Sequence, residues 1–257
     1  MSIVIEEIRD RIAYLTLNRP EKRNALNAEL VATLTTAVQT NSEKEEIRAI
    51  ILKSSGDAFC AGADLAYLQQ LQKNSYAENL EDSRNLAHLF QGIYASPKPV
   101  ISMVDGPALA GGCGLATLCD LCFATPQSTF GYTEARIGFI PAIVLVFLRK
   151  KLGEGIGKRI LFTGEVFGAE QAMQYGMITG MVGKEEIEEY VHEYVVKMIT
   201  GCSGNSLALI KEMYQQMEGL NLEDALSYAC KLNAHTRESE DCKRGIASFL
   251  NKEKIKW

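Results

Sequence analysis

The sequence predicts an α/β fold with a helical C-terminal region. Short β-like runs alternate with helix-like segments through the first half of the chain. Strand signals stop near residue 185, and only helical periodicity continues. Hydrophobic residues make up 47% and charged residues 23% of the 257 positions, the balance of a folded chain with a sizeable core. That length fits one large α/β unit.

Residues 12–17, 49–52, 100–104 and 121–124 are apolar runs that read as strands. Asn27 reads as an N-cap, because Leu30, Leu34 and Val38 follow it at helical spacing. Residues 76–95 read as a second helix, polar at first and then apolar. Beyond residue 185, helices are expected over 185–199, 206–219, 222–236 and 239–250, broken at Gly201, Gly204 and Gly219. Leu207, Ile210 and residues 213–217 make one apolar stripe there. No Pro/Gly/Ser-rich linker sets this region apart, so it is expected to pack on the body or on a partner subunit. The expected division is a core of residues 1–200 and a helical region of residues 201–257.

Twenty-seven Lys and Arg against 32 Asp and Glu give a formal charge of −5, which argues against a protein that tracks nucleic-acid phosphates. The seven cysteines (Cys60, Cys113, Cys119, Cys122, Cys202, Cys230 and Cys242) are an odd set, mostly in apolar stretches. They read as reduced core thiols of a cytosol-like compartment rather than a disulfide framework. The opening MSIVIEEIRDR is acidic where a signal or transit peptide is basic. The longest apolar run, 137–148, is shorter than the roughly 20 residues a spanning helix needs. A mature, soluble, cytoplasmic protein without membrane attachment is the expectation.

Several familiar catalytic constellations are missing. The three histidines (His88, His192 and His235) lie in predicted helices, and no G-x-S-x-G elbow accompanies them. Cys119 and Cys122 form a lone C-x-x-C among apolar neighbours, without a second pair at metal spacing, and read as buried thiols with no metal. Gly153, Gly155 and Gly157 do not have the spacing of a dinucleotide loop and read as a tight turn.

Two segments rich in Gly and Ala, 58–65 and 104–116, each follow a predicted strand and precede a predicted helix. Free backbone N–H groups at such places point at an anionic oxygen without side-chain obstruction. Two loops of this kind can converge on one developing oxyanion. The structural alternative is a pair of tight turns that need glycine for packing, and composition alone leaves both readings open.

Order and spacing of five segments then resemble the crotonase (enoyl-CoA hydratase/isomerase) superfamily over essentially the whole chain. They are N-R-P-E-K-R-N-A-L-N at 18–27, F-C-A-G-A-D-L at 59–65, the run from Lys98 to Cys113, F-G-Y-T-E-A-R-I-G at 130–138, and F-L-N-K at 249–252. The resemblance implies a ββα superhelix whose C-terminal helices build a homotrimer, often paired into a homohexamer. It implies chemistry on an acyl-CoA, or acyl carrier protein, thioester through an enolate, with coenzyme A as part of the substrate and no separate cofactor. The oxyanion donors match the N–H groups of Ala63 and Gly111. Lys22, Ala25, Ala61, Gly62, Asp64 and Leu65 would lie along the CoA moiety, and Phe249 and Lys252 would reach a CoA, including a neighbour's.

Hydratases of the family typically carry two glutamates. Here the second is Glu134, but the first position is Gly114. One carboxylate is sufficient to move a proton between two carbons, whereas two divide the work of orienting water and delivering its proton. The pattern looks like a single-glutamate subgroup resembling methylglutaconyl-CoA hydratases, in which a substrate carboxylate or water would fill the room that Gly114 leaves. The expected function is hydration of a short 2-enoyl thioester, branched ones included, or the reverse dehydration, with Glu134 as acid/base. A 3-enoyl to 2-enoyl isomerase is the alternative, and a non-catalytic CoA-thioester binding subunit is the alternative of another class. The structural alternative for Glu134 is an ion pair with Arg136. Residues 149–151 (R-K-K) read as a solvated face or as contacts to a CoA phosphate, not as an RNA site.

Overall fold

The structure, a computed structural model, describes residues 2–257. In chain order its elements are β1 (Val4–Arg9), β2 (Ile12–Leu17), α1 (Ala28–Glu43), β3 (Ala49–Ser54), α2 (Leu65–Leu71) and α3 (Tyr76–Ala95). Then come β4 (Val100–Val104), β5 (Pro107–Leu109), α4 (Gly111–Leu118), β6 (Leu121–Ala124), β7 (Thr129–Gly131), α5 (Ala142–Lys151) and α6 (Glu154–Thr163). The chain ends with β8 (Val166–Gly168), α7 (Ala169–Gln174), β9 (Gly180–Met181), α8 (Ile187–Gly201), α9 (Gly204–Gln216), α10 (Leu222–Glu238) and α11 (Glu240–Leu250).

The larger sheet has the order β1-β2-β3-β4-β6-β9. Only the β1–β2 pair in it is antiparallel. Its central strands read as continuous apolar runs because both faces are buried. Ala13, Leu15, Leu17, Ile50, Leu52, Val100 and Val104 pack into the main core under α1, α3 and α4. The alternate residues Ile12, Tyr14, Ala49, Ile51, Ile101 and Met103 face Ile187, Val191, Val195 and Ile199 of α8. These α8 residues recur every four positions along one helix face, which is why this helix closes the second side of the sheet.

Asn27 caps α1 as expected, its side chain accepting the Leu30 N–H at 2.9 Å. The predicted helix at 76–95 appears with those bounds, opened by a Ser75/Glu78 capping box. β1 is an addition to the expected elements. Its hairpin turns through Asp10 and Arg11 at φ 50° and 66°, the left-handed pair of a two-residue turn. Asp-Arg lacks the usual glycine, so the turn gave no signal in the sequence.

Two expectations are corrected. Gly153, Gly155 and Gly157 do not make a turn. Gly153 caps α6 and the other two lie inside it, because Ile160 and Leu161 bury one helix face and outweigh the glycine penalty of about 1 kcal/mol each. Only four cysteines (Cys60, Cys113, Cys119 and Cys122) are core thiols, whereas Cys202 and Cys230 are exposed and Cys242 is half-buried on the C-terminal helices. The basic run at 149–151 lies on a solvated face, one of its two expected readings: Arg149 and Lys150 are exposed, Lys150 pairs with Glu218, and Lys151 donates to the Cys119 carbonyl at 2.9 Å.

The C-terminal helices dock on the body mainly through α9. Lys211 donates to Asp120 at 2.7 Å and to the Lys98 carbonyl at 3.1 Å, and Gln215 donates to the Tyr94 carbonyl at 2.8 Å. No helix among the described residues is long and apolar enough to cross a membrane.

Candidate active site

The smaller sheet assembles the site. β5 and β7 run parallel, pairing Leu109 with Gly131, and Cys60 makes a parallel bridge with Ala108 on the other side of β5. Three segments therefore leave the sheet in the same direction, carrying Ala63, Gly111 and Glu134 just beyond their C-terminal ends. Ligands of open α/β sheets gather at that end of the strands.

The loop at 60–64 and the start of α4 are in direct contact. Cys60 donates its N–H to the Pro107 carbonyl at 3.2 Å and accepts from Leu109 N–H at 2.9 Å. A β-carbon at Gly112 would lie 2.3 Å from the Cys60 carbonyl oxygen, and one at Gly62 would lie 2.9 Å from Ala110 Cβ. Glycine at both positions is what lets the two loops touch. The close packing buries Cys60, which pushes its thiol up to about 12 and leaves it un-ionised at neutral pH.

Neither the Ala63 N–H nor the Gly111 N–H has an acceptor among the described residues. Ala63 is left out because Leu26 bonds to its two neighbours: Leu26 N–H donates to Gly62 O at 2.7 Å, and Asp64 N–H donates to Leu26 O at 2.9 Å. Gly111 opens α4, so its N–H has no intrahelical partner. Ala110 before it has φ 49° and ψ −127°, a conformation ordinarily left to glycine, and its N–H is fixed on the Gly131 carbonyl at 2.7 Å. Ala63 is exposed and Gly111 half-buried.

Glu134 starts a 3-10 turn after β7 and is buried at 8% exposure. Its Oε2 has no hydrogen-bond partner among the described residues. Burial therefore raises its carboxyl above the usual glutamate range, opposed only by its own backbone N–H. Arg136 does not neutralise it. The arginine lies along the Gly164 turn, within 3.2 Å of a β-carbon there. A buried, unpartnered carboxyl with a raised pKa, leaving the small sheet on the same side as two unpaired donors, is suited to taking up and returning a proton.

Gly114 is not an open position. A β-carbon there would meet Val144 Cγ2 at 2.7 Å, Val144 Cγ1 at 2.8 Å and Phe90 Cε2 at 3.2 Å. The expected room for a substrate carboxylate or water is thus filled by apolar side chains of α5 and α3. Neither residue had marked itself in the sequence.

The residues matched to CoA contacts fall into two groups. Lys22 and Leu65 are exposed at the mouth of the 22–25 and 61–65 loops, Ala61 is half-buried, and Ala25 and Gly62 are buried between them. The Asp64 carboxylate is already engaged: Oδ2 accepts from Arg19 at 3.0 Å, and Oδ1 accepts from the Ala66 and Tyr67 N–H groups at the start of α2. Burial alone would raise this carboxyl, but the Arg19 hydrogen bond and the two amides outweigh it and hold it below the usual range. Phe249 and Lys252 stand exposed at the end of α11, whose main packing partner in its own chain is α10.

Residues 7–257 match the enoyl-CoA hydratase/isomerase family. A Thermus thermophilus relative is 37% identical over 253 residues, covering 97% of this chain and 98% of its own. A Syntrophomonas wolfei relative named crotonyl-CoA hydratase is 31% identical, covering 99% of this chain and 97% of its own. The crystal structure of an enoyl-CoA hydratase from Mycobacterium smegmatis superposes with a TM-score of 0.93 at 28% identity, covering 100% of this chain and 99% of that one. With the family matched over nearly its whole length and the fold shared at that level, this chain belongs to the enoyl-CoA hydratase/isomerase family.

Proposed function

We propose that the protein catalyses the reversible hydration of short 2-enoyl-CoA thioesters, with Glu134 as its single acid/base. The observation that carries this reading is the buried, unpartnered Glu134 carboxyl on the same side of the small sheet as the unpaired N–H groups of Ala63 and Gly111. Water adds its oxygen to C3, and the displaced π electrons move through the thioester to its oxygen. The two N–H groups stabilise that oxyanion more than they stabilise the neutral carbonyl, which is the condition for acceleration. Glu134 accepts the proton that water loses and returns it to C2, so the carboxylate ends as it began.

A second reading is favoured by Val144 and Phe90 at Gly114. With no second carboxylate and no room for water there, Glu134 could take a proton from C2 of a 3-enoyl thioester and return it to C4. Turnover of linear and branched 2-enoyl and 3-enoyl CoA thioesters in isotopically labelled water separates the two. Loss of 2-enoyl absorbance with label in the product supports hydration. Conversion of the 3-enoyl isomer without label supports isomerisation. Binding with no turnover across the panel overturns both and leaves a CoA-thioester binding subunit. We further propose a homotrimer or a dimer of trimers, in which Phe249 and Lys252 meet the CoA of a neighbouring subunit.

A further inference from the structure

We propose that Arg19 is a positioning residue for the Ala63 N–H, acting through Asp64. The inference rests on the reading of Ala63 as an oxyanion donor and adds what aims it. Ala63 itself is exposed and follows a glycine at φ 91°, so its own packing does little to fix its peptide plane. Its orientation comes from its two neighbours, both bonded to Leu26. The segment carrying Leu26 and the segment carrying Asp64 must therefore keep one mutual placement.

Arg19 spans those two segments. One guanidinium nitrogen donates to the Ala25 carbonyl and the other to Asp64 Oδ2 at 3.0 Å. The side chains of Arg19 and Asp64 are only 12% and 10% exposed, so water screens this pair less than it screens a surface pair. Arg19 is in turn held by its own backbone, its N–H donating to Asn24 Oδ1 at 2.7 Å. Asn24 is fully buried at φ 53°, and its amide donates to the Ser55 and Ala58 carbonyls, both at 2.8 Å. The chain of contacts thus runs from the strand end at Ser55, through Asn24 and Arg19, to the residue after Ala63. A planar fork that satisfies two acceptors on separate segments fixes their angle, which the point charge of a lysine does not.

If the fork is lost, Asp64 still caps α2 through Oδ1, and the loop persists with a less well-aimed Ala63 N–H. Misplacement of a reacting geometry by about 1 Å can cost on the order of 10²-fold in rate. The test uses full-length wild type, Arg19→Met, Arg19→Lys and Asp64→Asn. The probe is butyryl-CoA carrying ¹³C at the thioester carbonyl, read by difference infrared spectroscopy, together with kcat, KM and melting temperature.

The wild type is expected to lower the bound carbonyl frequency. Arg19→Met should lose most of that shift, and its kcat should fall about 10- to 100-fold with KM little changed. Arg19→Lys should recover part of both. Should Arg19→Met not fold, Asp64→Asn, which keeps the cap acceptor but weakens the ion pair, is read in the same way. A folded variant with a lowered melting temperature but an unchanged carbonyl frequency and kcat would reduce Arg19 to a stabilising role and overturn the proposal. No shift in the wild type would overturn the oxyanion reading itself, and this inference with it.

Discussion

Val144 occupies the space that a side chain at position 114 would need: both of its γ-methyls lie within 2.8 Å of the missing β-carbon. Val144 is 4% exposed and Phe90 fully buried, so neither moves aside into solvent. Glycine at 114 is therefore the condition for α5 to pack on α4. Alanine in a helix interior is worth about 1 kcal/mol over glycine, whereas overpacking a filled core costs about 1–3 kcal/mol. The clash wins, and Gly114→Ala is expected to lower stability in urea denaturation. Adding Val144→Ala should restore part of the loss relative to Gly114→Ala alone. A Gly114→Ala protein more stable than wild type would show that the gap tolerates a methyl group.

Glu134→Gln is expected to lower turnover by about 10²–10⁴ while leaving the fold at least as stable at neutral pH. Burial raises this carboxyl in the folded state. The ionised form is therefore the disfavoured one, and its cost is absent below the ordinary glutamate value. It grows as pH rises from that value to the elevated one and is complete above it. The variant should thus match wild type in acid and exceed it above that window. The acid limb of kcat/KM in the wild type should lie above the usual carboxylate range. Full turnover with a lowered melting temperature would assign Glu134 a structural part instead.

The fold was readable where local chemistry agreed with tertiary burial. Residues 49–52 (AIIL) and, apart from Ser102, 100–104 (VISMV) are apolar on both faces because both faces are covered, and the Asn27 cap announces α1 from four residues of sequence. β5, β7 and β8 span three residues each, too few to show a period, and they exist only through pairing with one another. The site divides in the same way. The two glycine loops stood out by composition and by their place between a predicted strand and a predicted helix, whereas Glu134 was singled out only by the family resemblance. Val144, Phe90 and the Arg19–Asp64 pair act across 30, 24 and 45 positions of chain, so only the folded structure brings their roles out.

Gly111→Pro deletes one proposed donor, and it also strains Ala110 before it, because a residue preceding proline is pushed toward extended backbone and away from φ 49° and ψ −127°. Proline is tolerated at the first position of a helix because the missing N–H has no partner there, and Gly111 holds that position in α4. The nearest atom to its β-carbon is the end of a flexible side chain, Leu26 Cδ1 at 3.2 Å. Turnover is expected to fall by about 10²–10³ in a variant that keeps the circular dichroism of the folded wild type. Near-normal turnover in the folded variant would remove Gly111 from the reaction.

Ala110→Gly tests the strain that aims that donor. A non-glycine residue in a sparsely populated region costs about 1–3 kcal/mol, and glycine loses roughly 0.4–1 kcal/mol through the unfolded chain. The balance favours glycine at φ 49° and ψ −127°, and the variant is expected to raise the urea midpoint with turnover within about threefold of wild type. A lowered midpoint would mean that the alanine methyl contributes more by packing than its backbone costs.

The assembly prediction turns on α11. Ile246, Phe249 and Leu250 are 54%, 84% and 72% exposed, and their spacing places them on one side of the helix. Leu222 and Leu226 of α10 are 76% and 56% exposed, and Tyr214 of α9 is 77% exposed. Isolated exposed hydrophobics are ordinary, but three large apolar side chains on one side of α11 with such exposure mark it as the candidate interface. The full-length protein is expected to be a trimer or a dimer of trimers by light scattering. Deleting residues from Gly201 onward should abolish assembly, but that also removes the Lys211–Asp120 contact and exposes the body. Phe249→Asp with Leu250→Asp is the sharper variant, because both side chains are already exposed and the single-chain fold does not depend on them. It should keep the circular dichroism of the wild type and run as a monomer. A wild-type monomer at micromolar concentration, or an intact oligomer in the double variant, would move the interface away from α11.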